Sequence, residues 1–255
     1  MTGNRSARVW SLVAEQAAIR GGRVSAADVC LAAVAAVEVT GAWLLAARGA
    51  EPGHLMRVTD EASELLAELQ LTLGEGPGPD AAAFGGPVLA SDLDQPEADR
   101  RWPAFAPAAR RAGAAAIFAF PLQVGAIRAG VMGLYRIQAG PLSGFQLGDA
   151  LLFADTATLL LLEDADQPAS DAAEPVWARS GPGGQTAELS RHRAEIDQAT
   201  GMLTEQLGVG IAEAFLRLRA YAYAHDRRLS DLARDIVARR LRLRPDPDLR
   251  KDERA

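Results

Sequence analysis

The sequence predicts an α+β fold, an antiparallel sheet with helices packed on it, followed by a small all-α domain of three helices. Three observations carry this. Residues 114–124 and 127–137 are two apolar runs split by Gly125-Ala126, the strand–turn–strand pattern of a hairpin. The order helix, helix, strands, helix, loop, helix, hairpin, helix argues for α+β. Beyond residue 187, apolar residues recur at three- and four-residue spacing in three short blocks.

The elements follow in order. Residues 9–20 read as a helix with Val9, Leu12, Val13, Ala17 and Ile19 on a loose apolar stripe, ended by Gly21-Gly22. Ser25 is placed to cap a second helix whose apolar positions are Val29, Leu31, Ala32 and Val34. Residues 37–47 switch to β-branched and aromatic side chains and read as a strand, with a second at 54–59. A short helix at 62–71 turns Leu65, Leu66 and Leu69 inward. The glycines and prolines of 73–80 predict irregular structure there. A short strand at 86–90, a helix from Trp102 to Arg111 and the hairpin come next. A helix at 145–162 closes the region, with Leu151, Leu152, Leu159 and Leu162 on or near one face.

Composition bounds the function. The chain has 255 residues, enough for two domains, and 49% hydrophobic residues, enough for a sizeable core. No run of eighteen apolar residues occurs and the polar N-terminus does not read as a signal peptide, so no membrane span and a cytoplasmic location are expected. The single cysteine, Cys30, excludes an internal disulfide and reads as a buried thiol. The three histidines (54, 192 and 225) are scattered, no ligand cluster has metal spacing, and no Lys-Ser/Thr follows Gly74-Glu75-Gly76 to make a phosphate loop. The expectation is therefore a protein that is not an enzyme and has no evident cofactor. Residues 163–187 are acidic and broken by Pro168, Pro175 and the 181–184 Gly-Pro run, which predicts a linker. Charge divides unevenly across it. Residues 188–244 carry eleven arginines against eight acids, a net +3, whereas the rest of the chain is −9. That asymmetry points the C-terminal part toward a polyanion.

The first region resembles a GAF domain over residues 8–165. The residues that carry the likeness are the Leu-Gly-Glu-Gly-Pro stretch at 73–77, Asp80, Trp102-Pro103, Phe105, the Phe120-Pro121-Leu122 strand and residues 130–135. The resemblance implies a GAF-like sensor domain receiving a small-molecule or protein signal. Any ligand pocket would lie between the sheet and the 74–103 loop, with Glu75, Trp102 and Phe105 as candidate contacts; plain core packing is the competing reading of the two aromatics. No receiver-type phosphorylation site precedes the last part, so control falls to a ligand, a partner or dimerisation.

The last part reads as helices at 188–207, closed by Gly208, and at 211–225, then a third capped by Ser230 with Leu229 as its staple and stopped by Pro245 and Pro247. It resembles the ANTAR domain, the RNA-binding antitermination module of bacterial regulators, through Gln198-Ala199-x-Gly201-Met202-Leu203, Ala214-Phe215-x-x-Leu218-Arg219 and Leu229-x-Asp231-Leu232-Ala233. Where many members carry Lys, this chain has Thr200. The resemblance implies binding of paired stem-loops in leader RNA. Arginine supplies phosphate contacts and aromatics stack on loop bases, so the candidate RNA-binding residues are Arg191, Arg193, Gln198, Thr200, Arg217, Arg219, Tyr221, Arg227 and Arg228, with Tyr223 the other stacking option. A homodimer would present two such modules to two stem-loops. A DNA-reading helix-turn-helix is a poor fit, because Ser230-Asp231 would head its recognition helix. The alternative function is a small-molecule-sensing protein whose C-terminal helices contact other proteins. The expected organisation is a sensor domain at 8–165, a linker at 166–187, a three-helix domain at 188–244 and a charged tail at 245–255.

Overall fold

A computed structural model describes residues 2–48, 51–166 and 185–243. Five strands, β1 (Gly41–Arg48), β2 (Glu51–Val58), β3 (Val88–Ala90), β4 (Ala116–Val124) and β5 (Ile127–Arg136), form one antiparallel sheet in the order β2-β1-β5-β4-β3. The expected hairpin is β4–β5, turned at Gly125 with φ 58°, the left-handed region that glycine enters at little cost.

Side chains alternate across the sheet with the period of two that strands impose. Ala42, Leu44, Phe118, Phe120, Leu122, Met132 and Leu134 point to one face, where α1 (Thr2–Arg20), α2 (Ala26–Val37) and α7 (Gly144–Asp166) cover them. Trp43, Leu45, Ile117, Ala119, Val131 and Tyr135 point to the other. That face is covered by α3 (Glu61–Leu73), α4 (Pro77–Phe84), α5 (Pro96–Arg101) and α6 (Phe105–Arg111). Trp43 pairs with Gly133, which pairs with Ala119, so one row holds a large ring beside two small residues. A Cβ built on Gly133 would lie 2.0 Å from the Trp43 ring. Burying a large apolar side chain of this kind is worth about 1.5–3 kcal/mol, and both faces hold several.

The helices depart from the expected stripes in instructive ways. On α1 the buried positions are Val9, Val13 and Ala17, four apart, while Ile19 is 80% exposed because two residues beyond Ala17 is the opposite side. On α2, Leu31 is exposed and Val29, Cys30, Ala32 and Ala33 are buried. Ser25 begins this helix as expected: Asp28 accepts from the Ser25 backbone N–H (2.8 Å) and hydroxyl (2.8 Å). On α7 the sheet-facing side is Ala150, Phe153, Ala154, Ala157, Leu160 and Leu161, and the expected leucine face is corrected, since Leu151 and Leu159 face outward. Small residues let the helix approach the sheet closely. The 144–163 stretch of α7 is long and apolar enough by length and composition to cross a membrane, and half of it is buried in the fold.

Residues 73–80 also correct the expectation of irregular structure, because α4 starts inside them. Pro77 sits at the first helical position, where a missing N–H costs nothing, and Gly76 precedes it at φ 124°. Helix α5 had no expected counterpart; its six residues are too few to show an apolar period. The helix placed at Trp102 starts three residues later, at Phe105, since the Trp102 backbone N–H still closes α5 on Ala98 O (2.8 Å).

The chain divides into two units near residue 190. The C-terminal helices are α8 (Gln185–Leu207), α9 (Ile211–Ala224) and α10 (Leu229–Val237). They share a core of Ala199, Leu203, Ala214, Phe215, Leu218, Ala222, Leu229, Leu232, Ala233 and Ile236. Gly208, at φ 66°, ends α8. The expected Ser230 cap is corrected: Arg228 takes the cap position, and Leu229 and Ser230 are already helical and buried. Most of the expected linker, Pro245, Pro247 and the tail lie outside the described residues.

Candidate nucleic-acid interface

In the first unit, the three candidate ligand contacts are engaged in holding helices. The Glu75 carboxylate accepts from the backbone N–H groups of Ala104 (3.0 Å) and Phe105 (3.2 Å), capping the start of α6. Trp102 is 4% exposed and its indole donates to Asp80 (3.1 Å), which also takes Arg101 (2.7 Å). Phe105 is fully buried, with its ring edge-on to Trp102. Gln70 does for α4 what Glu75 does for α6, accepting from Gly78 N–H (2.7 Å). The indole N–H of Trp43, buried on the same face, has no acceptor among the described residues. Cys30 is 1% exposed, and burial pushes its thiol up to about 12, so it stays protonated. Among the described residues no group of three or more His, Cys, Asp or Glu is placed to hold a metal ion.

In the second unit the candidates separate into three kinds. Arg191 and Gln198, two turns apart on α8, are exposed on one side of that helix. The side chain of Arg193 lies outside the described residues. Thr200 is a correction: it is 5% exposed, and its hydroxyl donates to the Ile196 carbonyl one turn back (2.7 Å). It packs inward, and its hydroxyl is not a surface donor.

On α9, Arg217 and Arg219 are two residues apart and so diverge around the helix. Arg217 pairs with Glu213 (2.8 Å). The Arg219 guanidinium lies over the Phe215 ring (5.9 Å), and burial lowers its pKa. Phe215 itself is 8% exposed, a core residue as its spacing implied. Tyr221 stacks on His225 with centroids 3.8 Å apart, whereas Tyr223 is 61% exposed. Of the two tyrosines, Tyr223 is therefore the one whose ring is available to stack.

Around α10, charge is organised by acids. Asp235 accepts from Arg227 (2.7 Å) and Arg240 (2.8 Å), bonds that hold its carboxyl below the usual range. Arg234 pairs with Asp231 (3.1 Å) and Glu195 (3.4 Å) and reaches His192 (3.1 Å), tying α10 to α8. Arg228 is half-buried at the start of α10. Arg234, Arg239, Arg240 and Arg242 also lie in this region; for Arg240 and Arg242 the alternation Arg240-Leu241-Arg242-Leu243 is the signal in the sequence.

The family model for the ANTAR domain matches residues 185–237. No curated protein sequence matches the chain. Among solved structures, the chain is similar to the GAF domain of a phosphoenolpyruvate-protein phosphotransferase from Coxiella burnetii, with a TM-score of 0.47 and 10% identity over 63% of this chain and 96% of that one. It is also similar to the GAF-B domain of DevS from Mycobacterium smegmatis, with a TM-score of 0.40 and 19% identity over 55% and 91%. A domain of a sensor histidine kinase protein from Sinorhizobium meliloti gives a TM-score of 0.41 and 17% identity over 52% and 86%. Residues 185–237 are an ANTAR domain, a module that implies RNA-binding regulation, and they follow a five-stranded antiparallel sheet domain that resembles GAF domains.

Proposed function

We propose that this protein is a transcription antitermination regulator. It binds tandem stem-loops in leader RNA through residues 188–244, under the control of a signal received by the sheet domain at 8–165. The observation that carries this reading is the ANTAR match over a packed three-helix unit whose segment is net positive in an acidic chain. Arg191, Gln198 and Tyr223 are exposed groups of the types that phosphates and unstacked bases require. Two copies acting together gain avidity for two stem-loops. Exposed Leu151 and Leu159 on α7, and Ile211 and Leu216 on α9, supply apolar surface for self-association in the cytoplasm.

The test is fluorescence anisotropy of the full chain against RNA with two tandem stem-loops, one stem-loop, and a DNA duplex. The proposal expects the tandem RNA to bind tightest and binding to weaken as salt rises. Equal affinity for the duplex, or no RNA binding at low salt, overturns it in favour of helices that contact protein.

A further inference from the structure

Six residues beyond the family match extend the C-terminal unit. After α10 the chain turns at Arg239, whose φ of 58° is left-handed. The turn is held by Arg239 N–H to Ile236 O (2.9 Å), Arg240 N–H to Asp235 O (2.8 Å) and Leu241 N–H to Asp235 O (3.2 Å). Leu241 and Leu243 then pack against the helical core, while Arg239, Arg240 and Arg242 are exposed. The alternation is that of an extended segment, leucines in and arginines out. Arg240 is steadied by Asp235, which also takes Arg227. Arg239 and Arg242 form no ion pair among the described residues.

We propose that residues 239–243 are a pinned basic arm that grips the sugar-phosphate backbone of the RNA bound by the helical unit. This rests on the RNA-binding reading above. A flexible basic tail gives up conformational freedom when it binds; here the turn and the two leucines have already fixed the arm, so less is lost per contact. Arginine is suited to the task, since its planar fork matches phosphate oxygens. Such contacts carry no base information, so the arm adds affinity for any RNA presented to the unit.

The experiment compares the full chain with the Arg239→Asn/Arg242→Gln double variant, against the tandem stem-loop RNA and unfractionated tRNA at several salt concentrations. Asparagine tolerates the left-handed turn and both leucines remain, so the melting curve should be unchanged. Loss of two phosphate contacts should weaken both RNAs roughly 10-fold or more near 0.1 M salt and reduce the slope of log K against log salt by roughly 1.4–1.8. If the parent chain binds RNA and the variant matches it in affinity and slope, the arm is only a solvated surface and the wider reading survives. Weaker affinity at an unchanged slope also overturns the arm, because the lost contacts are then not to phosphate. If the parent chain binds neither RNA, both readings fall together.

Discussion

The sheet domain and the helical unit use charge in opposite directions. In the sheet domain, carboxylates turn inward to close the structure. Buried Asp28 holds Arg20 and the start of α2, Glu75 caps α6, and buried Asp149 gathers Arg5 and Arg8. In the helical unit partly exposed acids hold arginines in place, as Asp235 does for Arg227 and Arg240. The cores differ as well. The sheet buries two faces with Trp43, Phe105, Phe118, Phe120 and Phe153, whereas the helices share one small cluster whose buried residues include one aromatic, Phe215, with Tyr221 packed at its edge. One part is built to be closed and the other to present cations.

That contrast can be broken at three strengths. The largest effect is expected from Leu232→Ala, which removes a fully buried side chain from the small cluster. Truncations of this kind cost about 2–5 kcal/mol, comparable to the whole stability of a unit of roughly 55 residues at about 0.05–0.15 kcal/mol per residue. The tryptophans are at 10, 43, 102 and 177, none of them in the helical unit. Far-ultraviolet circular dichroism should therefore lose helix at a lower temperature while the tryptophan fluorescence transition stays put. A fluorescence transition that falls by the same amount would mean that the units melt as one.

An intermediate effect is expected from Gly133→Ala, whose new Cβ would meet the Trp43 ring. Overpacking at such a site costs about 1–3 kcal/mol, read as a lower fluorescence midpoint with RNA affinity retained at temperatures where the sheet remains folded. The smallest comes from Asp235→Asn. The Asp235 carboxyl is held below its usual range by Arg227 and Arg240, so it contributes stability that is present above the unfolded-state pKa and is lost as pH falls through the folded one. The variant should be less stable than the parent at neutral pH and converge with it in acid; a gap that persists at low pH would show that the pairing is not the cause.

What the residues disclosed in advance depended on whether a signal was local. The β4–β5 hairpin was legible because two apolar runs and Gly125 are sufficient to specify it. Helix α4 was not, because the same glycines and prolines that break structure also start a helix when proline falls at the first position. The sheet-facing side of α7 was misread because leucine counts suggest a face, whereas Ala150, Ala154 and Ala157 are what permit close packing. In the C-terminal unit the helices were legible from their spacing, but the fate of each arginine was not. Arg227 meets Asp235 eight residues away across a turn, and Thr200 turns its hydroxyl into its own helix. Such partners are set by tertiary geometry, which no spacing rule contains.

RNA is expected to meet the helical unit and its arm, and not the sheet domain. Ultraviolet crosslinking of the full chain to tandem stem-loop RNA, followed by mapping of the crosslinked peptides, tests it most directly. Adducts should be confined to residues 185–243, with Tyr223 among them; adducts concentrated within residues 8–165 would place the RNA on the sheet domain instead.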